Sequence, residues 1–312
     1  MGIQKKLATA YKILRQKGLA GLWHTIRQKV VALTCTNENA IIFEILHDSS
    51  SSGVMCDVGA HHGYCLIPFA QAGWQVYAFE PDPDNRSKLI GNTQVYPGVH
   101  VDNRAVSDKV EAAIPFFTSK ESSGVGSLSA FLPSHEAAHM VSTTTLNAFF
   151  AEQGLDRLDY LKIDAEGFDL MVLKGLGWER VQPRVILCEF EDAKTQKLGY
   201  SYTTLADYLV GKGYHVLVSE WRPIVNYGEQ HSWRGYFTYP HTLHEEKAWG
   251  NLIATNDDEI YRQLADKCKT KLESDRTATR PSLLKQKEDK LRVIRLSALP
   301  AASSPGTAQP QR

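Results

Sequence analysis

Cysteine is scarce in this chain: five residues among 312 (Cys35, Cys56, Cys65, Cys188 and Cys268), an odd number with no C-x-x-C pair. That excludes a disulfide-stapled scaffold and a zinc ribbon, and it points to a reducing compartment. Long apolar runs are missing as well. VVAL at 30–33 is typical of the longest, far short of the roughly 20 residues that span a bilayer. The basic N-terminus lacks the apolar stretch of a secretory signal, so a cytoplasmic protein is expected. Net charge is also absent, since 35 basic residues balance 35 acidic ones. There are no internal repeats and no G-x-G-x-x-G, which removes the usual pyrophosphate-binding turn.

The zero balance hides a segregation. Residues 1–37 carry +7 with no acid, residues 38–255 carry −11, and residues 256–312 carry +4. An acidic middle repels a nucleic-acid backbone, so no nucleic-acid partner is expected there. In the first segment Ile3, Leu7, Tyr11 and Leu14 recur at helical spacing; after Gly18 and Gly21, so do Leu22, Ile26, Val30 and Leu33. This predicts a basic amphipathic helical arm over 1–37, either packed on the main domain or lying peripherally on the inner face of a membrane. The main domain is expected over 38–256. Residues 257–312 read as a charged helix followed by a Pro/Ala/Ser-rich tail too poor in apolar residues to fold.

The middle alternates short apolar runs with helical patterns, as βαβ units do. Predicted strands are 54–58, 75–79, 99–105, 160–163, 185–189, 214–218 and 251–255, with helices at 64–72, 84–92, 145–153, 168–174 and 203–211. The Ser/Gly-rich insert 114–139 breaks this rhythm and reads as a hairpin followed by a long loop covering a site.

Three stretches carry chemistry. In VMCDVGAHHGY (54–64) a strand delivers Asp57 into a turn that Gly59 and Gly63 allow to bend sharply. A carboxylate there repels pyrophosphate and suits a cationic group such as an amino-acid ammonium. In QVYAFEPDP (75–83), Glu80 tips the next strand, where an acid can accept both hydroxyls of a ribose. Together these form the pattern of an S-adenosylmethionine (SAM) site. In LDYLKIDAEGFDLMVLKGL (158–176), Asp164 and Glu166 enter a turn at the carboxyl end of the fourth strand, one expected to face the methionyl end of SAM and the other the acceptor.

With NRAVSD (103–108), TTTLNAFF (143–150) and VILCEFE (185–191), these motifs resemble the FkbM-type SAM-dependent methyltransferases over roughly 40–255. The resemblance implies an α/β, Rossmann-like class I methyltransferase sheet of seven mostly parallel strands, the last antiparallel, flanked by helices. It implies O-methylation of a small molecule or sugar, in the glycan or glycolipid precursor class. Carried over by position, Asp57, Gly59, Ala60, Gly63, Glu80, Pro81, Asn103, Ala105 and Asp164 would bind the cofactor. Asp164 and Glu166 would line the methyl-transfer end. One departure is Leu146-Asn147, where the family has Leu-Asp; if that Asp serves the acceptor, substrate contacts here differ.

An alcohol acceptor needs its proton removed as the bond forms, so Asp164, then Glu166, then His62 are the candidate bases. His61 and His62 are adjacent and expected to point apart. Glu189 and Glu191 are likewise expected to point to opposite sides of their strand, leaving Glu189 for the acceptor. His231 and Arg234, in the aromatic-rich stretch 220–251, are further acceptor candidates because rings and hydrogen-bond donors suit a sugar. The acids admit a metal, but no ligand spacing demands one. Two rivals stand: a SAM-binding scaffold without catalysis, and an NAD(P)-dependent reductase, disfavoured by the missing glycine motif.

Overall fold

A computed structural model describes residues 37–50, 52–224 and 231–268. The basic arm of 1–37, except its final residue, and the tail beyond 268 lie outside the described residues.

The described strands are β1 (Val54–Val58), β2 (Gln75–Phe79), β3 (Val99–Asp102), β4 (Ala105–Val106), β5 (Ile114–Thr118), β6 (Glu136–Val141), β7 (Thr143–Thr144), β8 (Tyr160–Ile163), β9 (Val185–Glu191), β10 (His215–Trp221), β11 (Trp233–Thr238) and β12 (Trp249–Thr255). Eight form one sheet in the order β11-β10-β12-β9-β8-β1-β2-β3. Strands β3, β2, β1, β8 and β9 run parallel. The last strand, β12, inserts antiparallel between β9 and β10. The expected seven strands with an antiparallel last member are therefore present. An eighth, β11, pairs antiparallel along the edge of β10. Its WRGYFT sequence mixes Gly, Arg and aromatics, which hid the alternation of a strand.

Both faces of this sheet are covered, which is why its strands read as apolar runs. Met55 and Cys56 illustrate the period of two. Met55 joins the cluster that holds Ile42, Ile45 and Phe69, while Cys56 joins the one that holds Phe149, Leu173 and Leu205. Helices Glu38–Ser49 and Ile67–Gln71 pack on the first side, Leu146–Glu152, Asp169–Lys174 and Tyr202–Gly211 on the second. Helical residues 258–268 also belong to the first cluster, through Ile260, Leu264 and Cys268. The edge expected at 256 thus falls inside packed structure, because that charged stretch carries an apolar face at helical spacing.

The strand expected over 99–105 ends at Asp102. Its carboxylate accepts the backbone N–H and side chain of Arg104, and this local turn diverts the chain out of the sheet. Ala105–Val106 then pairs with β7 instead. Strands β5 and β6 form a hairpin around the long loop 119–135, so the loop lies between the hairpin strands and does not follow them.

Candidate active site

Chain order reverses between β1 and β8, the place where open α/β sheets leave a crevice at the strands' carboxyl ends. Two irregular turns flank it. After β1, Gly59, His61 and Gly63 all take positive φ (76°, 50° and 81°), and after β8 so do Glu166 (50°) and Gly167 (95°). Glycine is required at 59, where a Cβ would lie 2.0 Å from the Asp164 carbonyl oxygen, so the two turns touch through bare backbone. His61 and Glu166 are the only non-glycine residues with positive φ among the described residues, and both line the crevice. Such strain collects at functional sites.

The crevice holds about 760 Å³ of empty space, opening to solvent, and is lined by Gly59, His61, Glu80, Pro81, Asn85, Ala105, Asp164 and Glu166. Phe79, Val106, Phe116 and Leu128 form its apolar wall. Ser123, Gly124, Gly126 and Ser127 of the 119–135 loop roof it, and Ser127 Oγ donates to the Glu166 carbonyl at 2.9 Å. The Ser/Gly-rich insert does cover the site.

Glu80 is nearly fully buried. Its two oxygens accept the backbone N–H of His61 at 2.7 Å and of Asp82 at 2.9 Å. Burial outweighs these bonds and pushes its pKa up to about 7. Asp164 differs: its side chain is 43% exposed, with Lys162 Nζ 3.6 Å away.

Asp57 does not reach the crevice. It is completely buried, and Lys162 Nζ sits 3.0 Å from its Oδ1. Burial raises its pKa and Lys162 opposes that shift. Its charge is thus already compensated inside the protein by Lys162, behind the crevice lining. Ala60 donates its N–H to the Phe79 carbonyl, and Gly63 leaves room for Leu89, whose Cδ1 lies 2.6 Å from where a Cβ would be. These two shape the loop from behind. Asn103 is exposed at the turn after β3 and does not line the crevice. Asn147, the family departure, is exposed on helix Leu146–Glu152, also away from it.

The histidines do not point apart. The left-handed backbone of His61 brings both rings to one side, stacked with centroids 3.6 Å apart and planes at 19°. His61 faces the crevice and bonds Ser123 Oγ at 3.0 Å, whereas His62 bonds Asn85 Oδ1 at 3.1 Å and does not line it. Burial, helped by His62, lowers the His61 pKa to about 4, so this ring is neutral at physiological pH.

Glu189 and Glu191 also lie on one face, as residues two apart in a strand must. With Glu166 they surround the buried Lys194, at 2.8, 3.0 and 2.6 Å from its Nζ. Burial pulls the ammonium's pKa down, but the three carboxylates outweigh it and hold it charged. Burial drives Glu189 well up and Glu166 to about 7. Glu189 is therefore engaged with Lys194. His231 packs edge-on against Trp249, and Arg234 is held by Glu220 and Glu245. Neither lines the crevice. The aromatic stretch serves packing: Trp221 lies against Trp249 and Trp233 against Tyr236.

Several site residues escaped the sequence reading. Lys162 left a signal, a lone cation inside the buried run YLKI, which has to be paired. Lys194 left a weaker one, since Glu191 and Glu189 stand three and five residues before it, while its third partner, Glu166, comes from the β8 turn.

The chain matches the model of the methyltransferase FkbM domain over residues 57–216, just over half of its length. It is 27% identical over 140 residues to the hexuronic acid methyltransferase AglP of Haloferax volcanii, covering 45% of this chain and 56% of that one. The chain thus spans about half the length of the curated relative it matches. Similar solved structures include precorrin-6y C5,15-methyltransferase from Geobacter metallireducens (14% identity, TM-score 0.37, 70% of this chain and 87% of that one). Magnesium protoporphyrin IX methyltransferase from Synechocystis PCC 6803, solved with bound SAM, is another (12% identity, TM-score 0.37, 70% and 78%).

Proposed function

The chain belongs to the FkbM methyltransferase family, and we propose that it is a SAM-dependent O-methyltransferase acting on a hydroxyl of a small molecule or sugar. The observation that carries this reading is the charge of the crevice. Glu80, Asp164 and Glu166 line it, and neither lysine nor arginine does. Such a set of carboxylate acceptors fits a sulfonium and a ribose and opposes a pyrophosphate, which disfavours the reductase.

Glu80 would hold the ribose, since each oxygen keeps a second lone pair after accepting one N–H. The wall of Phe79, Val106, Phe116 and Leu128 suits a flat purine. When bound, SAM supplies a methyl carbon already activated by positive sulfur. Asp164 takes the acceptor's hydroxyl proton, because it is exposed to the crevice and only loosely paired. Glu166 is the weaker candidate, its carboxylate being locked by Lys194 at 2.6 Å. The loop 119–135 excludes water. The sugar class is supported by the name of the Haloferax relative and by the −11 charge of residues 38–255, which disfavours polyanions. No helix among the described residues is long and apolar enough to cross a membrane, so contact with an anionic surface would fall to the cations of residues 1–37.

The test offers SAM and NADH to the purified chain by calorimetry, then screens neutral and acidic sugars for a product heavier by one methylene. Saturable SAM binding with methylated sugar supports the reading. Saturable NADH binding overturns it; SAM binding without product from any acceptor favours the scaffold.

A further inference from the structure

Away from the crevice, a second polar cluster lies at the far edge of the sheet. Glu220 is completely buried near the end of β10, where the pairing with β11 shifts register between Glu220 and Trp221. Its Oε1 accepts the backbone N–H of His244 at 3.0 Å and sits 3.2 Å from Arg234 Nε. Its Oε2 meets two imidazole nitrogens at once, His241 Nε2 at 2.8 Å and His244 Nδ1 at 2.9 Å.

We propose that Glu220, His241 and His244 form a binding site for one first-row divalent cation of the zinc type. The ion would pin the 239–248 connection to the sheet. The three ligand atoms lie within 4.8 Å of one another, so one ion at about 2.0–2.2 Å from each requires only side-chain adjustment. Two imidazoles and one carboxylate are the borderline N/O set that such ions take, whereas calcium and magnesium want oxygen alone. Supporting contacts fix the ligands as metal sites require. Arg234 and the His244 amide occupy Oε1 and leave Oε2 to the ion. Glu245 also binds Arg234, which offsets the guanidinium's repulsion of a dication. The Phe237 ring lies parallel to His241 at 4.2 Å and beside His244 at 5.0 Å, an apolar wall that holds both rings. His244 is 43% exposed, so the fourth position opens to water. None of the three lines the crevice, so the ion has no part in methyl transfer.

A metal-free hydrogen-bonded cluster is the competing account, and titration separates the two. The full chain, stripped with chelator, is titrated with zinc chloride by calorimetry and with cobalt(II) by visible absorption. One equivalent of zinc, a raised Tm and a tetrahedral cobalt spectrum are expected. His241→Ala and His244→Gln should each weaken zinc binding at least tenfold. His215→Ala, whose imidazole bonds Asp258 instead, should leave it unchanged. Because His244 is half exposed, His244→Gln folds, and melting in chelator checks this. The proposal is overturned if the wild-type chain takes up no zinc, or if His244→Gln binds it equally well. It is also overturned if Glu189→Gln alone loses the ion, which would move it to the acids beside the crevice.

Discussion

Glu80 and Glu189 are both glutamates beside the carboxyl end of a parallel strand, yet the structure puts them to opposite uses. Around Glu80 the compensating groups are two backbone N–H dipoles and no cation, so the acid titrates near neutrality and keeps lone pairs for a ligand. Around Glu189 the compensating group is Lys194, shared with Glu166 and Glu191, and the assembly is closed on itself. A buried acid facing amides is available to a ligand; a buried acid facing a full cation is scaffold.

The largest expected effect breaks the closed assembly. Lys194→Met strands three carboxylates without a cation, and removing one partner of a buried ion cluster costs about 3–5 kcal/mol. Thermal melts should show Tm falling on the order of 10 °C, with Glu189→Gln in the same chain restoring part of it. An unchanged Tm would mean that the lysine is not the centre of the cluster.

Next comes Asp164→Asn, which keeps size but removes the basic carboxylate. Turnover should fall about 10²-fold while SAM affinity stays within a few-fold. Near-normal turnover would transfer the role to Glu166.

Glu80→Gln sharpens the other side of the comparison. It removes the charged acceptor and sets an amide against an N–H donor, so SAM affinity should drop about tenfold, from the loss of about 1.5–3 kcal/mol per charged bond less what Gln retains. The pH dependence gives the sign. The folded pKa of Glu80 is raised by burial, so the ligand-free chain loses stability as pH rises from the ordinary carboxylate range to about 7. Ribose binding needs the anion, so SAM affinity should rise from pH 6 to 8 in the wild type and stay flat in Glu80→Gln. Calorimetry at three pH values decides it.

The smallest effect separates the stacked histidines. His61→Gln should weaken SAM binding a few-fold, and His62→Gln by less than threefold, since only His61 faces the crevice. The reverse order in a binding assay would put the wrong ring at the site.

The sheet was legible in the sequence because burial on both faces forces apolar runs such as VMCDV and YLKI, bounded by Gly and by acids at strand ends. Gly59, Glu80, Pro81, Ala105, Asp164 and Glu166 were legible as crevice residues for the same reason: a strand's end fixes where the next residue sits. Asp57 and Glu189 lie near those ends too, but the fold, not the strand end, decides what balances each charge. Lys162 reaches Asp57 across 105 residues of sequence, and Lys194 collects acids from β9 and the β8 turn. The stacking of His61 on His62 and the diversion of the chain at Asp102 turn on single backbone dihedrals and local hydrogen bonds, which composition does not encode.

Sequence by itself therefore determined the strand order's raw material, the location of the crevice and its acidic character, because periodicity and strand-end residues are local properties. Tertiary structure alone decided which acids line the crevice and which are held by a lysine. It also decided that the aromatic stretch packs inward and that β11 extends the sheet. Charge compensation acts through space: Lys162 meets Asp57 at 3.0 Å and Lys194 meets Glu166 at 2.6 Å, partners far apart in the chain, and no local pattern records them.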